Sequence, residues 1–292
     1  LMPLPSLLLQ SYHDLAASIA GRLAQLHPPS DPFEPWPVEV IVASSGLARA
    51  IAERLSLLLP HGVAALRLQT IETFAQRVVN DTGRYPRVAT PAERRLAMRT
   101  AARSVDHPMM ESRGTAAMLE RSYRDVRDGG LAVADIASRG RSESIRNRDR
   151  LRAIVRACEE YERLIARLGA IDPADLLAEA ARVIRAGAAV PPQIVAGFYD
   201  MTGAQFAVLE SLRGVEKVDS IYVPGHGHAF ADAFVEKLGL GPRASGLGPT
   251  TPEARGPSTE AWTISEHRTR EDEARAVCAA IADRLARGVT SI

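Results

Sequence analysis

The chain has 292 residues, 46% of them hydrophobic and 24% charged, with a formal net charge of +1 at pH 7, which excludes a disordered or fibrous protein and predicts a soluble one of about two domains. Two cysteines, Cys158 and Cys278, cannot build a disulfide framework, a four-cysteine zinc site or an iron–sulfur cluster; the expectation for the chain as a whole is no metal and no other cofactor. No apolar run approaches the roughly 18–20 residues of a membrane helix, and the opening LMPLPSLLLQSY has neither a basic stretch nor a small-residue cleavage site, so the expectation is a cytoplasmic protein with no membrane partner.

Ser6–Gln10 is a short apolar strand candidate, followed by Leu15, Ile19, Leu23 and Leu26 at helical spacing between His13 and Leu26. Residues 28–37 (PPSDPFEPWP) form a proline-rich loop that no helix crosses. Val38–Ala43 is a β-branched run that ends at Ser44-Ser45-Gly46, the pattern of a buried parallel strand. Leu47, Ile51, Leu55 and Leu58 mark the next helix, Ala65–Gln69 a third strand, and Phe74 and Val78 the helix after it. Strand–helix alternation of this kind predicts a doubly wound parallel sheet.

From about residue 84 to 169 the strands stop. Thr90-Pro91-Ala92-Glu93 is a helix start with a threonine cap, a proline in first position and a glutamate completing the capping box. Leu151, Ile154, Cys158, Tyr161, Ile165 and Leu168 keep 3–4 spacing through a long helix that Gly169 can end, with Cys158 on its packing face. The block reads as an all-helical insertion. It holds 19 arginines and 12 acids between Arg84 and Arg167, a net of +7, while the rest of the chain carries −6. Two readings stay open for it: DNA contact, or a solvated helical surface in a chain whose basic residues are arginine everywhere except Lys217 and Lys237.

The alternation then returns. Asp172 caps a helix beginning Pro173-Ala174-Asp175; Ile194–Phe198 is a strand, Phe206, Leu209 and Leu212 belong to the following helix, and Ser220–Val223 is another strand. Residues 239–259 read as a loop or linker, Trp262–Ser265 as a strand, and Ala274, Val277, Ile281 and Leu285 as a last helix. The final VTSI falls where the pattern asks for a further strand, so the chain is expected to be part of a longer one. The expected organisation is residues 1–83 and 170–260 as two parts of one α/β domain, 84–169 as the insertion, and 261–292 as the start of a second domain.

This order of segments resembles the N-terminal part of superfamily-1 helicases of the UvrD/RecB type. More closely, it resembles the AddB/RecC subunits of bacterial helicase–nuclease complexes, which keep the helicase fold without its ATPase motifs. Residues 31–55 (DPFEPWPVEVIVASSGLARAIAERL) resemble the motif Ia strand and helix, and 68–79 (LQTIETFAQRVV) the segment carrying a T-x-H-x-F pattern. Residues 171–177 (IDPADLL) resemble the D-F-x-D-L-L entry to the helix before motif II, and 195–212 (VAGFYDMTGAQFAVLESL) the motif II strand and helix. Residues 271–288 (EDEARAVCAAIADRLARG) are similar to the opening of the second RecA-like domain. The resemblance implies a P-loop NTPase-like (RecA-like) parallel sheet with a helical insertion.

The departures from that pattern carry the functional expectation. A P-loop needs G-x-x-x-x-G-K-[ST] to cradle phosphate and hold magnesium; the corresponding turn, SYHDLAA (11–17), has no glycine and no lysine, and neither Lys217 nor Lys237 follows a glycine. Ala196 and Gly197 stand where motif II would place adjacent Asp-Glu, while Asp200 matches a later acid and Gln205 a downstream glutamine. The chain is therefore expected to bind and not to hydrolyse. Its implied partners are single-stranded or end-containing DNA and an active AddA/RecB-like helicase–nuclease subunit; a C-terminal PD-(D/E)xK nuclease would lie outside this sequence.

Candidate DNA contacts are Ser44, Ser45, Arg49 and Thr70 at the carboxyl ends of strands, where anions bind in parallel sheets, with Phe74 nearby. Others are Arg94, Arg95 and Arg99, and Arg146, Arg148, Arg150 and Arg152, in the insertion. Ser44 and Ser45 are equally readable as helix caps, Gln205 as the partner of Thr202 in a capping box, and Phe74 as core. His226 and His228, two apart without a nearby cysteine or carboxylate pair, read as a surface loop. The alternative function is an interaction scaffold that docks the motor subunit and touches no DNA; a small-ligand α/β enzyme lacks a visible nucleophile–base pair.

Overall fold

The computed structural model describes residues 6–9, 12–26, 34–59, 63–112, 114–139, 145–225 and 229–239, with backbone only at 6–9, 139, 145–147 and 229–230. β1 (Ser6–Leu9) leads into α1 (His13–Gln25), β2 (Glu39–Val42) into α2 (Ser45–Leu58), and β3 (Leu68–Thr70) into α3 (Ile71–Asn80). β4 (Arg87–Val88) precedes α4 (Pro91–Arg103), a 3-10 turn (Pro108–Glu111), α5 (Thr115–Asp128), α6 (Val133–Arg139) and α7 (Ile145–Arg167). β5 (Ala170–Ile171) is followed by α8 (Pro173–Arg185), β6 (Gln193–Ala196), α9 (Gly203–Gly214), β7 (Val218–Pro224) and α10 (Ala229–Lys237).

The fold is α/β, with five parallel strands in the order β1-β7-β6-β2-β3. Every residue of β2 and β6 is buried, as expected of a parallel sheet covered on both faces. The two-residue side-chain period then divides these strands between two cores. Val40, Val42, Ile194, Ala196 and Tyr222 pack against α1 and α2. Ile41, Val195, Ile221 and Val223 point the other way, to the side chains of α3, α8, α9 and α10.

The insertion has a core of its own, built from Met98, Ala101, Leu119, Tyr123, Cys158, Tyr161 and Ile165. The strands do not stop at its borders: β4 and β5 pair in parallel, Arg87 with Ala170 and Val88 with Ile171, closing the insertion at its base. α5 meets the sheet layer at a backbone contact so close that a Cβ on Gly203 would lie 2.4 Å from the Gly129 carbonyl oxygen.

Other boundaries differ from expectation for local reasons. β3 starts at Leu68, not Ala65, because the Leu66 amide turns back to the Val63 carbonyl at 2.9 Å. Within the proline-rich loop, Trp36 is buried in the α1–α2 core. α7 begins at Ile145, ahead of its first apolar marker, and α10 was not anticipated. The strand, helix and second domain expected beyond residue 239 lie outside the described residues, as do His226 and His228. Among the described residues no helix is long and apolar enough to cross a membrane.

Candidate functional site at the carboxyl edge of the sheet

Because all five strands run the same way, their carboxyl ends share one edge, and the helices that follow them start there. Ser44 caps α2, its Oγ accepting the Leu47 amide at 3.2 Å, while Ser45 and Arg49 are exposed in the first turns of that helix. Thr70 caps α3, its Oγ1 accepting the Thr73 amide at 3.3 Å. Thr202 and Gln205 form the expected capping box on α9, and Gln205 Nε2 also donates to Glu72 Oε1 at 2.9 Å, tying the first turns of α9 and α3 together. Each cap leaves further amide N–H groups of its first turn without an intrahelical partner, and the helix dipole favours negative charge there. β6, β2 and β3 are neighbours, so three such helix starts open on this edge, α3 and α9 over one face of the sheet and α2 over the other.

Next to them, an aromatic ring at the start of α1 reaches to the end of β6. Tyr12 is the N-cap residue of α1 without a side-chain cap, and its hydroxyl donates to the Gly197 carbonyl at 3.2 Å. Gly197 has φ 80°, and a Cβ there would lie 2.4 Å from Leu47 Cδ2. Tyr12 and Leu47 therefore meet at the end of β6, beside a cavity of about 510 Å³ between α1 and α2 that His13 and Arg54 also line. Burial, helped by the neighbouring Tyr199, raises the Tyr12 pKa above the ordinary tyrosine value and holds the hydroxyl as a neutral donor.

Tyr12 is 43% and Tyr199 47% exposed, large rings at a sheet edge otherwise made of caps and turns. Sequence reading missed both, although they lie in the two segments searched for ATPase residues. Asp200, beside Tyr199, accepts the Met201 amide at 2.8 Å and is exposed. Phe74 is wholly buried beneath the Arg77 guanidinium, so it is core and not part of the edge.

The insertion's candidate arginines do not form one patch. Arg94 is half-buried, in the field of Asp128 and Tyr161, whereas Arg95 and Arg99 are exposed one turn apart on α4. The Arg146 side chain lies outside the described residues. Arg150 turns its Nε to Met109 Sδ at 3.1 Å. Arg148 and Arg152 line a cleft between α6 and α7 together with Arg156, which sequence reading passed over. Cys158 is buried on the packing face of α7, where burial pushes its thiol up to about 12. Among the described residues no group of three or more His, Cys, Asp or Glu side chains is placed to hold a metal ion.

The chain matches no protein-family model, and no curated protein matches it.

Proposed function

We propose that this chain is the non-catalytic, helicase-like DNA-binding region of an AddB/RecC-type subunit from a cytoplasmic double-strand-break repair helicase–nuclease. In this reading β1 and β6 are the strands that would carry the phosphate loop and motif II of a RecA-like ATPase. β7 lies between them, which sets their ends roughly 10 Å apart. A nucleotide's phosphates would occupy that gap. Here Tyr12 bridges it to Gly197, Leu47 packs against Gly197, and neither residues 11–17 nor residues 195–201 offer a lysine or an adjacent acid pair.

The observation that carries the reading is the pairing of two exposed tyrosines with helix N-termini at one sheet edge. Single-stranded nucleic acid is gripped by cationic and amide contacts to phosphate and by sequence-tolerant stacking of bases on aromatic rings. Ser44, Ser45, Arg49 and Thr70 supply the first along α2 and α3; Tyr12 and Tyr199 supply the second. Arg95 and Arg99 are a separate exposed cationic pair on α4 of the insertion.

Anisotropy of a labelled oligothymidylate, titrated with the protein over a salt series, tests this. The expected result is a log-linear loss of affinity with salt, about 0.7 per phosphate contact, that becomes shallower in Arg49→Glu. Salt-independent binding, an unchanged slope in that variant, or ATP turnover by the purified protein would overturn the proposal.

A further inference from the structure

The cleft between α6 and α7 differs chemically from the sheet edge. Its volume is about 340 Å³. Along α7, Arg148, Arg152 and Arg156 recur at every fourth residue and therefore lie on one stripe of the helix. Leu151 and Val155 lie between them, Glu159 lines the cleft three residues after Arg156, so three guanidinium groups outweigh one carboxylate, and Ala137 of α6 lines the opposite wall. Arg152 pairs with Asp149 of its own helix at 3.2 Å, both side chains well exposed, an arrangement that contributes little and is easily exchanged. Arg156 makes no hydrogen bond or ion pair with a described residue.

No aromatic ring is among the described lining residues, so the cleft offers bases no stacking surface. A phosphate backbone would meet the arginines and leave the aliphatic floor uncovered. A helix with carboxylates every fourth residue and aliphatic side chains between them meets both, covering half-buried Leu151 and the arginine stems while its carboxylates face the guanidinium groups. From this charge and apolar complementarity we propose that the α6–α7 cleft docks an acidic amphipathic helix of a partner protein. The proposal concerns a different surface from the sheet edge and does not depend on DNA binding there.

The probe is a labelled synthetic peptide of about twenty residues, long enough to form helix, with glutamate at every fourth position and leucines between. It is titrated into the whole chain beside two controls, polyglutamate and the oligothymidylate. The expected result is saturable binding of the peptide, weakened about fivefold or more by Arg156→Glu. Leu151→Ser is expected to weaken it about threefold or more through lost apolar burial. Both variants should keep the wild-type circular dichroism and oligothymidylate affinity. No binding of the peptide would overturn the proposal. So would binding that ignores the Arg156 reversal, polyglutamate binding as tight as the peptide's, or an equal loss of oligonucleotide binding, which would make the cleft a nucleic-acid surface.

Discussion

The two edges of the central sheet are built from opposite chemistry. At the amino edge, Glu39 opens β2 and is 7% exposed, and its carboxylate is used up. Arg77 donates to it, as do Arg67 at 3.0 Å, Gln69 at 3.1 Å and Gln193 at 3.2 Å. Beside it Arg22 of α1 grips Asp219 of β7 through two bonds, 2.8 and 2.6 Å. At the carboxyl edge the polar groups are helix caps and exposed first-turn residues, with Tyr12 and Tyr199 laid open beside them. Charge neutralised within the fold holds strands together. Donors left at helix starts are available to something else, which is why parallel sheets bind ligands at this end.

The sharpest way to break the contrast is at Glu39. Glu39→Ala removes the acceptor shared by four donors and leaves the mostly buried Arg77 guanidinium only the exposed Asp81 as an ionic partner, an outcome expected to cost about 3 kcal/mol. A urea midpoint shifted far down with an unchanged slope checks it. Ser45→Ala at the other edge should change the unfolding free energy by less than about 0.5 kcal/mol, as exposed substitutions do. Equal effects at the two edges would dissolve the distinction.

A smaller effect is expected from the rings of the open edge, and on binding in place of stability. Tyr12→Ala and Tyr199→Ala should each weaken oligothymidylate binding by about 1 kcal/mol, roughly fivefold, the lower range for one lost base stack. Tyr12→Phe keeps the ring and loses only the hydroxyl bond to Gly197, so it should bind nearly as wild type. If Tyr12→Phe weakened binding as much as Tyr12→Ala, the tyrosine would act by holding the turn and not by stacking.

What could be read before the structure was local. The caps at Ser44, Thr90, Asp172 and Thr202 stand where their residue types placed them, because a cap is decided within four residues. The strand–helix alternation was legible for the same reason. β4 and β5 were not, since two-residue strands exist only through a pairing that spans the whole insertion. Exposure of Tyr12 and Tyr199 is a tertiary property with no sequence period. The split among the arginines was partly available: Arg94 has buried residues both three and four positions ahead, Ala97 and Met98, whereas Arg95 and Arg99 have one only three ahead, Met98 and Ala102. Arg156 continues the four-residue step of Arg148 and Arg152 and was visible in the same way.

The seam between the insertion and the sheet layer is intermediate between the two edges, and it yields the smallest and most pH-sensitive effect. Tyr123 donates to Glu162 Oε1 at 3.0 Å, Tyr161 donates to Asp172 Oδ2 at 2.9 Å, and Arg127 pairs with Asp175. One guanidinium serves several carboxylates, so burial wins and raises the carboxyl pKa values of Glu162 and Asp175 above their ordinary values. A carboxyl raised in the folded state disfavours folding once it is ionised. Its contribution is most favourable below the unfolded pKa and declines as pH rises through the folded one. Glu162→Gln keeps an oxygen for the Tyr123 hydroxyl and removes the charge. At pH 7 the variant should therefore be more stable than wild type, by less than about 1 kcal/mol. The gain should shrink as pH falls through the raised carboxyl value and vanish below the ordinary carboxylate range. Urea unfolding of both proteins across that window measures it. A loss of stability at pH 7 would mean that the Glu162 charge is held by Arg127 as firmly as Glu39 is held at the amino edge, and the seam would then belong with the neutralised end of the molecule.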